Sequence, residues 1–402
     1  MTCKFVPNCQ PQTANRKLPT TNYNFTIYKN FVTQKHILFL TLKVFSATGG
    51  IEKVCRVMGK ALYEYGLEND KCVEIMSMHD TQNQAERNIY FPNTIFTGYA
   101  VNKVGFVLNA VKNGRKADVV IISHINLLVT GWLIKKVNPN AKIILLAHGI
   151  EIWGKLRYAK RKMLDLCDEI ICVSNFTAAI IAKKQELKNP KISVLNNCLD
   201  PFLNNQHSAV ADNNLRKHYA FTPGDVVLLT LTRLSAKDRY KGYEFVLEAM
   251  MNLTATHKNI KYLLAGGSSD DEKVFLKKLI QKHSLQDNVI LAGYIPDDDL
   301  PALFSMADVY VMPSTKEGFG IVFIEAMYYS LPVIAGNKDG STDALLDGKL
   351  GLLIEPNSSL EIEKAVNKII ENKKAYEPNR QLLMENFGYD VYKKKLQQIL
   401  YN

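Results

Sequence analysis

From residue 36 the chain alternates short apolar runs with longer stretches in which apolar positions recur every three or four residues. Runs of the first kind are typical of buried strands, and stretches of the second kind are typical of helices that lie on a sheet. This alternation predicts a parallel sheet covered by helices. The predicted strands of the first half are 36–45, 117–123, 141–147 and 169–174, and a helix over 50–66 follows the first of them.

A second series of the same kind follows a polar interruption that starts at residue 195 and reaches about residue 222, which we interpret as a linker. Its predicted strands are 225–231, 260–266, 288–293, 307–313 and 331–336, and its predicted helices include 242–253, 320–330 and 390–400. The two series predict an α/β protein of two Rossmann-like, doubly wound parallel-sheet domains that face each other across a cleft. Ligands of such sheets bind at the carboxyl ends of the strands.

The predicted organisation has four parts. They are a flexible N-terminal extension (1–34), a first Rossmann-like domain (35–201), a second one (202–388) and a C-terminal helix (389–402) that can return to the first domain. The extension lacks the apolar segment of a signal peptide. The longest apolar stretch, 119–134, is interrupted by polar residues, so we expect a strand, turn and helix there rather than a membrane span.

Charge is distributed unevenly over a chain whose formal net charge is +11. Residues 1–205 hold 27 Lys and Arg against 14 Asp and Glu, whereas the rest of the chain is close to neutral. A basic half favours a polyanionic partner, which could be nucleic acid, an anionic membrane or a phosphorylated substrate. The seven cysteines are scattered without a C-x-x-C pair, which argues against a disulfide framework or a zinc knuckle and is typical of a reducing cytosol.

The segment 313–336 carries the richest candidate chemistry. Gly318 and Gly320 allow close approach of the backbone to a ligand, and the free N–H groups at the following helix start can bind a phosphate. Glu325 lies about one turn into that helix and can reach the cleft beside Glu317. Carboxylates beside a bound phosphate make sense as acceptors for ribose or sugar hydroxyls. The alternative is a surface loop followed by an ordinary helix.

Two further segments could complete such a site. Arg233 leaves the first strand of the second domain and Lys241 precedes its next helix, where both could hold a diphosphate; the alternative is solvated charge. Gly49 and Gly50 allow a tight turn after the first strand. Neither G-x-G-x-x-G nor the P-loop pattern is met there, so binding of NAD or an NTPase activity loses support.

These three sets, in this order, resemble the retaining glycosyltransferases of the GT-B fold, specifically the large GT4 group. The E-x7-E pattern of that group is met by Glu317 and Glu325, its Arg…Lys pair by Arg233 and Lys241, and its N-terminal glycine loop by Gly49 and Gly50. The sequence departs from the family pattern at Cys198, Thr232 and Asp343, none of which carries an assigned role.

The resemblance implies a role for each matching residue. Glu325 would accept hydrogen bonds from the donor ribose and Glu317 from the transferred sugar, while Arg233 and Lys241 stabilise the departing diphosphate. His148 matches the active-site histidine on the acceptor side, and the backbone of Ile295 matches the position that reads the nucleobase. The loop and helix start whose backbone would meet the sugar and the distal phosphate comprise Gly318, Phe319, Gly320, Ile321 and Val322.

The implied activity is retaining transfer of a sugar from a UDP- or GDP-sugar to a glycan or lipid-linked acceptor. No Asp or Glu is expected as a nucleophile on the glycine face of the first domain, so the route would be a front-face one that needs no metal or cofactor. One alternative is a GT-B sugar phosphorylase or synthase. Another is a basic module that binds membranes or polyanions and keeps a vestigial donor site.

Two features carry open alternatives. The acidic run 297–299 contains the D-x-D spacing that holds a metal in a different glycosyltransferase fold, but we predict that it caps a helix. The stretch 153–163 interleaves five cations with aromatic and apolar residues, so it could dock on anionic lipid or be a solvated helix face. Nucleic acid is not expected, because no recognised binding motif accompanies the charge. We expect a cytoplasmic location, with peripheral contact to the inner membrane face as a further hypothesis.

Overall fold

The computed structural model describes residues 35–86, 88–203 and 209–401. The predicted N-terminal extension, 1–34, lies outside these ranges. Two parallel sheets organise the described part of the chain, one of seven strands and one of six. None of the described helices combines the length and apolar character that a membrane crossing requires.

The first sheet has the strand order 3-2-1-4-5-6-7, and every neighbouring pair in it is parallel. Its elements are β1 (His36–Thr41), α1 (Gly50–Glu68), β2 (Cys72–Ser77), β3 (Phe96–Gly98), α2 (Lys103–Gly114), β4 (Val119–Ile122), α3 (Leu128–Val137), β5 (Lys142–Ala147), α4 (Ile150–Trp153), α5 (Tyr158–Leu164), β6 (Glu169–Cys172), α6 (Asn175–Lys184) and β7 (Lys191–Val194).

The second sheet has the order 10-9-8-11-12-13 and is also parallel throughout. Its elements are α7 (Ala209–His218), β8 (Val226–Leu231), α8 (Tyr243–Thr256), β9 (Ile260–Ala265), α9 (Asp270–Lys282), β10 (Val289–Gly293), α10 (Leu300–Met306), β11 (Val309–Met312), α11 (Ile321–Tyr328), β12 (Val333–Gly336), α12 (Ser341–Ala344), β13 (Leu352–Ile354), α13 (Ser359–Glu371) and α14 (Arg380–Phe387). The chain then continues into α15 (Tyr389–Tyr401).

Helices cover both faces of each sheet, and the strand β1 shows why its sequence reads as a continuous apolar run. Ile37 and Phe39 pack into the core on one face, while Leu38 and Leu40 pack into a separate core on the other. A strand buried on both faces needs apolar side chains at every position. The predicted fold class, two doubly wound parallel-sheet units, is therefore confirmed.

The last helix, α15, packs on the first sheet's layer rather than the second's. Its Tyr392 and Leu396 are buried in the same core as α1. Tyr389 Oη donates a hydrogen bond to Glu64 at 2.8 Å, and Lys393 pairs with Glu68 at 3.0 Å. This helix ties the end of the chain to its first strand and helix.

The hydrophobic pattern did not predict four of the strands. The predicted linker also contains a helix that was not expected. β2, β3, β7 and β13 have three to six residues, and most include polar or charged positions, so they lack the apolar runs that mark the other strands.

Within the predicted linker the chain forms α7, where Arg216 donates to the carbonyls of Met306 and Asp225 at 2.6 and 2.7 Å. A polar helix held by such tertiary contacts gives little sequence signal.

Candidate functional site

The carboxyl ends of both sheets open onto one cavity of about 640 Å³. It lies where a doubly wound fold is expected to bind its ligand. Of the predicted site residues, those that line it are Gly49, Gly50, Arg233, Lys241, Ile295, Glu317, Gly320, Ile321, Val322 and Glu325. The structure thus brings together residues that lie up to 276 positions apart, and both predicted acids and both predicted cations face the same space.

Glu317 and Lys241 form an ion pair at the cavity wall. Their side chains are only 12% and 16% exposed, so each charge depends on the other for compensation. Burial lowers the pKa of Lys241, and the carboxylates of Asp238 and Asp339 oppose that shift. The pair therefore places a largely desolvated ammonium and a carboxylate side by side at the cavity wall.

The second predicted acid, Glu325, is paired with a residue from the opposite domain. Lys53 Nζ, from the first turn of α1, donates to Glu325 Oε1 at 2.6 Å. Burial alone would lower the pKa of Lys53, but the charge and hydrogen bond of Glu325 outweigh it and raise that pKa. This ion pair bridges the two sheets' domains across the floor of the cavity.

Arg233 is the fourth of the predicted charged residues at the cavity, and Asp238 holds its guanidinium in place. Its guanidinium donates two hydrogen bonds to Asp238, at 2.7 and 2.8 Å, and Asp238 itself is only 3% exposed. The pairing raises the pKa of Arg233 and lowers that of Asp238. Because 77% of the arginine side chain stays exposed, the guanidinium is fixed in direction yet open to an anion.

The start of α11 faces the glycine turn of the first domain. A Cβ built on Gly50 would lie 3.9 Å from Ile321 Cδ1, so the two loops nearly touch across the cleft. Gly320 has φ +84°, and a Cβ there would clash with the ring of Phe323 at 2.4 Å. The N–H groups of Gly320, Ile321 and Val322 donate no hydrogen bond within the described part of the chain. They are the free N–H groups that the sequence predicted at this helix start, a geometry that can bind an anion.

Three predicted site residues are not on the cavity wall. Phe319 is 1% exposed and packs edge-on against Phe387 in the core. Gly318 lies against the first domain, since a Cβ there would be 1.7 Å from the carbonyl oxygen of His148. His148 Nε2 lies 2.7 Å from the carbonyl oxygen of Ser123, so its ring is engaged with its own domain. Their position indicates that they hold the loop and the interdomain contact in place.

Asp339 fixes the backbone at Glu317 and was not predicted from the sequence. Its Oδ2 accepts the N–H of Glu317 at 2.6 Å and its Oδ1 accepts the N–H of Ser341 at 2.9 Å. The side chain is completely buried, and this burial raises its pKa to about 6. Asp339 therefore positions the Glu317 loop at an electrostatic cost.

We expect that cost to appear as a pH dependence of stability. The pKa of Asp339 is higher in the folded protein than in the unfolded chain, so protonation of this carboxyl stabilises the fold. This stabilisation is fully present below about pH 4 and is lost as the pH rises through 6. A shift of about two units corresponds to ~3 kcal/mol at most. The Tm of the wild type should fall relative to that of Asp339→Asn between pH 4 and 7. A Tm difference independent of pH would contradict this.

Four residues that line the cavity were missed or misjudged. Glu52 lies two residues after Gly50 and lines the cavity, so a carboxylate stands on the glycine face of the first domain, where no nucleophile was expected. Lys53, near the start of α1, lines the cavity and was not predicted as a site residue. Tyr294 is 59% exposed beside Ile295 and lines the cavity. An aromatic residue in a loop at a strand end is the sequence feature that could have identified it. Asp297, the first acid of the D-x-D run, also lines the cavity.

The acidic run itself forms a short 3-10 turn, Asp297–Asp299, immediately before α10. Asp299 stands at the N-cap of α10, but its side chain makes no capping hydrogen bond, so the predicted cap is one of position only. Among the residues that the structure describes, no cluster of three or more His, Cys, Asp or Glu side chains is arranged to hold a metal ion.

Asp343, a departure from the family pattern, joins the two domains beside the cavity. Its Oδ1 accepts the N–H of Asn175 at 2.8 Å and the side-chain amide of the same residue at 2.7 Å, at the start of α6. A carboxylate at a helix start is favoured by the helix dipole. The contact supports a fixed relation between α12 and α6 on either side of the cleft.

Two family models match adjacent parts of the chain. The model described as Glycosyltransferase Family 4 matches residues 48–201, and the model described as Glycosyl transferases group 1 matches residues 212–385. The first match contains the glycine turn and His148, and the second contains Arg233, Lys241, Glu317 and Glu325.

Two individual proteins are similar to this chain over only part of its length. Alpha-D-kanosaminyltransferase of Streptomyces kanamyceticus is 28% identical over 39% of this chain and 39% of its own length. The GDP-mannose-dependent alpha-(1-6)-phosphatidylinositol monomannoside mannosyltransferase of Mycobacterium tuberculosis is 28% identical over 57% of this chain and 60% of its own. The chain thus spans about 39 to 60% of the length of these relatives.

The fold is matched over nearly the whole chain. The structure of the Anabaena protein HepE in complex with UDP superposes with a TM-score of 0.76 at 19% identity, covering 91% of this chain and 99% of that one. This likeness confirms the GT-B fold that the sequence motifs implied. Since the family models match both halves and the motif residues converge at one cavity, the chain belongs to the GT4-type glycosyltransferases.

Proposed function

We propose that this protein transfers a sugar from a nucleoside-diphosphate sugar to a glycan or lipid-linked acceptor. The observation that carries the proposal is the convergence of Glu317, Glu325, Arg233 and Lys241 on one cavity between the two sheets. Two cations and an open helix start suit a diphosphate, while two carboxylates suit hydroxyl groups. A ligand that combines all of these is a nucleotide sugar.

The cavity lining suggests how the donor is held. Glu325 accepts the ribose hydroxyls near Lys53, and the base lies against Tyr294 and the backbone of Ile295, since an exposed aromatic ring offers a stacking surface. The diphosphate lies between the start of α11 and the cations Arg233 and Lys241. UDP and GDP are both compatible with this arrangement; the related mannosyltransferase is GDP-mannose-dependent, whereas HepE was solved with UDP.

Chemistry proceeds by departure of the nucleoside diphosphate from the anomeric carbon. Arg233, Lys241 and the N–H groups of α11 stabilise the charge that develops on the leaving phosphate, which is the contribution a metal makes in other sites. The proposal therefore includes no metal or cofactor. In the front-face route the leaving phosphate takes the proton of the acceptor hydroxyl, and configuration is retained.

Glu52 now provides a test of that route, because a double displacement would need a carboxylate such as this one as nucleophile. We expect Glu52→Ala to lose less than about tenfold in turnover and to show no rescue by azide, since no bond to Glu52 forms in a front-face reaction. The product anomer is read by NMR. Rescue with formation of a glycosyl azide of inverted configuration would contradict the front-face route.

The donor assignment itself is tested by a thermal-shift screen against UDP, GDP and ADP and their glucose, mannose and N-acetylglucosamine conjugates. At a ligand concentration 100 times its Kd, binding stabilises the native state by about 2.7 kcal/mol. We expect at least one nucleoside diphosphate to raise the Tm by several degrees. No shift with any of them, together with salt-dependent binding to heparin, would favour the alternative of a vestigial site.

Replacement of Glu325 should act mainly on donor affinity. We expect Glu325→Ala to raise the donor KM by about tenfold or more, because hydrogen bonds from a ligand to a charged group are worth about 1.5–3 kcal/mol each. Turnover at saturating donor should change less. The exposed Glu371→Ala, on α13, serves as the matched control. A donor KM equal to that of the wild type would remove Glu325 from the ribose site.

A peripheral membrane position is part of the proposal for a lipid-linked acceptor. In the stretch 153–163, Lys155, Arg157 and Lys162 are exposed, as is Tyr158 at 69%. An exposed aromatic ring among cations suits an anionic lipid surface. Arg161, in contrast, pairs with Glu186 at 3.1 Å, which weakens its contribution to such a surface.

A further inference from the structure

The 640 Å³ cavity of the proposed donor site is called the donor cavity below. A second cavity, of about 510 Å³, adjoins it on the side of the first domain. Its lining comes entirely from that domain and comprises Leu42, Lys43, Ile51, Glu52, Met78, His79, Lys103, Ser123, His124 and Asn126. Lys43 and Glu52 line both cavities, so the two spaces meet at these side chains. A molecule in the second cavity would therefore present one end to the reacting sugar.

The charges of the second cavity differ in kind from those of the first. In the donor cavity Lys53, Arg233 and Lys241 are each paired with a carboxylate. Within the part of the chain that the structure describes, Lys43 and Lys103 have neither an ion pair nor a side-chain hydrogen bond, and Glu52 is the single acid among the lining residues. Unpaired ammonium groups facing a shared space favour an anionic ligand.

The histidines add hydrogen-bond donors to the same cavity. His124 Nδ1 accepts the N–H of Asn126 at 3.1 Å, which leaves the proton of the neutral ring on Nε2. Burial lowers the pKa of His124, as do the charges of His148 and Lys160, although Glu151 opposes this. Lys160 donates to Asn126 Oδ1 at 3.2 Å and so adds a further positive charge behind the wall.

The polar lining residues fall into two groups, those shared with the donor cavity and those that line the second cavity alone. Lys43 and Glu52 stand at the junction with the donor, whereas His79, Lys103 and His124 line the second cavity alone. The cations of this lining are lysines, which bind phosphate as point charges, and imidazole N–H groups can donate hydrogen bonds to phosphate oxygens. Together these groups suit a phosphate.

We propose that this cavity binds an acceptor that carries a phosphate ester, with the phosphate at the Lys103, His79 and His124 end and the attacking hydroxyl at the junction near Lys43 and Glu52. This inference rests on the proposed function, since it names the acceptor class of the same reaction. The phosphate belongs either to a soluble sugar phosphate or to a lipid headgroup. Exposed Val101, Val104 and Leu108 beside Lys103 offer an apolar surface that a lipid would use.

Equilibrium binding tests the proposal without knowledge of the natural acceptor. With the donor cavity saturated by the nucleoside diphosphate that the thermal screen identifies, glucose 6-phosphate and glucose are titrated calorimetrically into the wild type, Lys103→Ala and His79→Gln. Vesicles of phosphatidylcholine with and without phosphatidic acid form a second arm. Lys112→Ala is the matched control, because Lys112 is exposed on the same helix, α2, and lines neither cavity.

We expect a phosphorylated probe to bind at least tenfold more tightly than its neutral counterpart, and Lys103→Ala to lose about tenfold of that affinity. Lys112→Ala should stay within twofold of the wild type. Preference for glucose 6-phosphate identifies a soluble acceptor, and preference for phosphatidic acid vesicles identifies a lipid headgroup. Equal binding of neutral and phosphorylated probes, or equal losses in Lys103→Ala and Lys112→Ala, would overturn the proposal.

The two hypotheses fail in different ways. If no nucleoside diphosphate binds, the proposed function fails, whatever the second cavity does. If a nucleoside diphosphate binds with Glu325-dependent affinity but the phosphorylated probes show no dependence on Lys103, the donor site stands and only the acceptor class is wrong.

Discussion

Lys241→Ala is expected to lower turnover by about 10²- to 10³-fold, which is the usual cost of removing one group that stabilises charge in a transition state. Lys241 lies at the wall of the donor cavity with its ammonium against Glu317. In the proposed reaction that ammonium moves from the carboxylate to the departing phosphate. The loss is measured as release of nucleoside diphosphate with the donor that the thermal screen identifies.

The same substitution should also lower stability, because Glu317 is 12% exposed and would keep a charge without a partner. Breaking a buried pair by removing one partner costs about 3 kcal/mol or more. The double variant Lys241→Ala/Glu317→Ala should recover much of the Tm lost by either single variant while remaining inactive. Recovery of stability without turnover separates the catalytic role of the pair from its structural one.

Lys237→Ala is the control, since Lys237 is exposed in the same loop and lines neither cavity. Its turnover and Tm should match those of the wild type. If Lys241→Ala kept turnover within tenfold of the wild type, Lys241 would not stabilise the leaving group.

Gly318→Ala is expected to lower turnover at least 100-fold although no charged or polar side chain is altered. A Cβ at this position would lie 1.7 Å from the carbonyl oxygen of His148 and 2.9 Å from its carbonyl carbon, and both are backbone atoms that cannot rotate away. The loop must therefore shift by more than 1 Å relative to the first domain. A displacement of that size in a reacting geometry can cost about 10²-fold.

The matched control is Gly224→Ala, because a Cβ there meets no atom within 4 Å. We expect this variant to keep the turnover and the nucleotide affinity of the wild type. If Gly318→Ala were as active as Gly224→Ala, the contact between the Glu317 loop and the His148 backbone would have no part in the reaction.

The motif 317–325 was sufficient to predict that Glu317, Gly320 and Glu325 face one cavity. Glu317, Gly320 and Glu325 lie within nine residues of one another on a loop and the helix that follows it, so their spacing alone sets which way they face. For Arg233 and Lys241, around the end of β8, the local pattern left solvated charge open, and the family resemblance implied their role. In each case one strand end and one helix start fix the geometry, and both give clear hydrophobic signals.

The contacts between domains could not be predicted in this way. Lys53 and Glu325 are 272 residues apart, and Gly318 meets His148 only because two separate sheets face each other. Asp339 is a similar case, since its sequence neighbours give no sign that it accepts the N–H of Glu317. The interdomain pairs depend on the relative placement of whole domains, and the contact of Asp339 with Glu317 depends on the placement of two loops within the second domain. No periodicity in the sequence encodes either.

The most direct measurement is a crystal structure with the nucleoside diphosphate that gives the largest thermal shift. It should show the ribose hydroxyls on Glu325 and the diphosphate at the start of α11, between Arg233 and Lys241, with the Lys241 ammonium turned from Glu317 to phosphate. A diphosphate bound outside this cavity, or bound while Lys241 stays on Glu317 and Glu325 touches no hydroxyl, would contradict the proposed donor site.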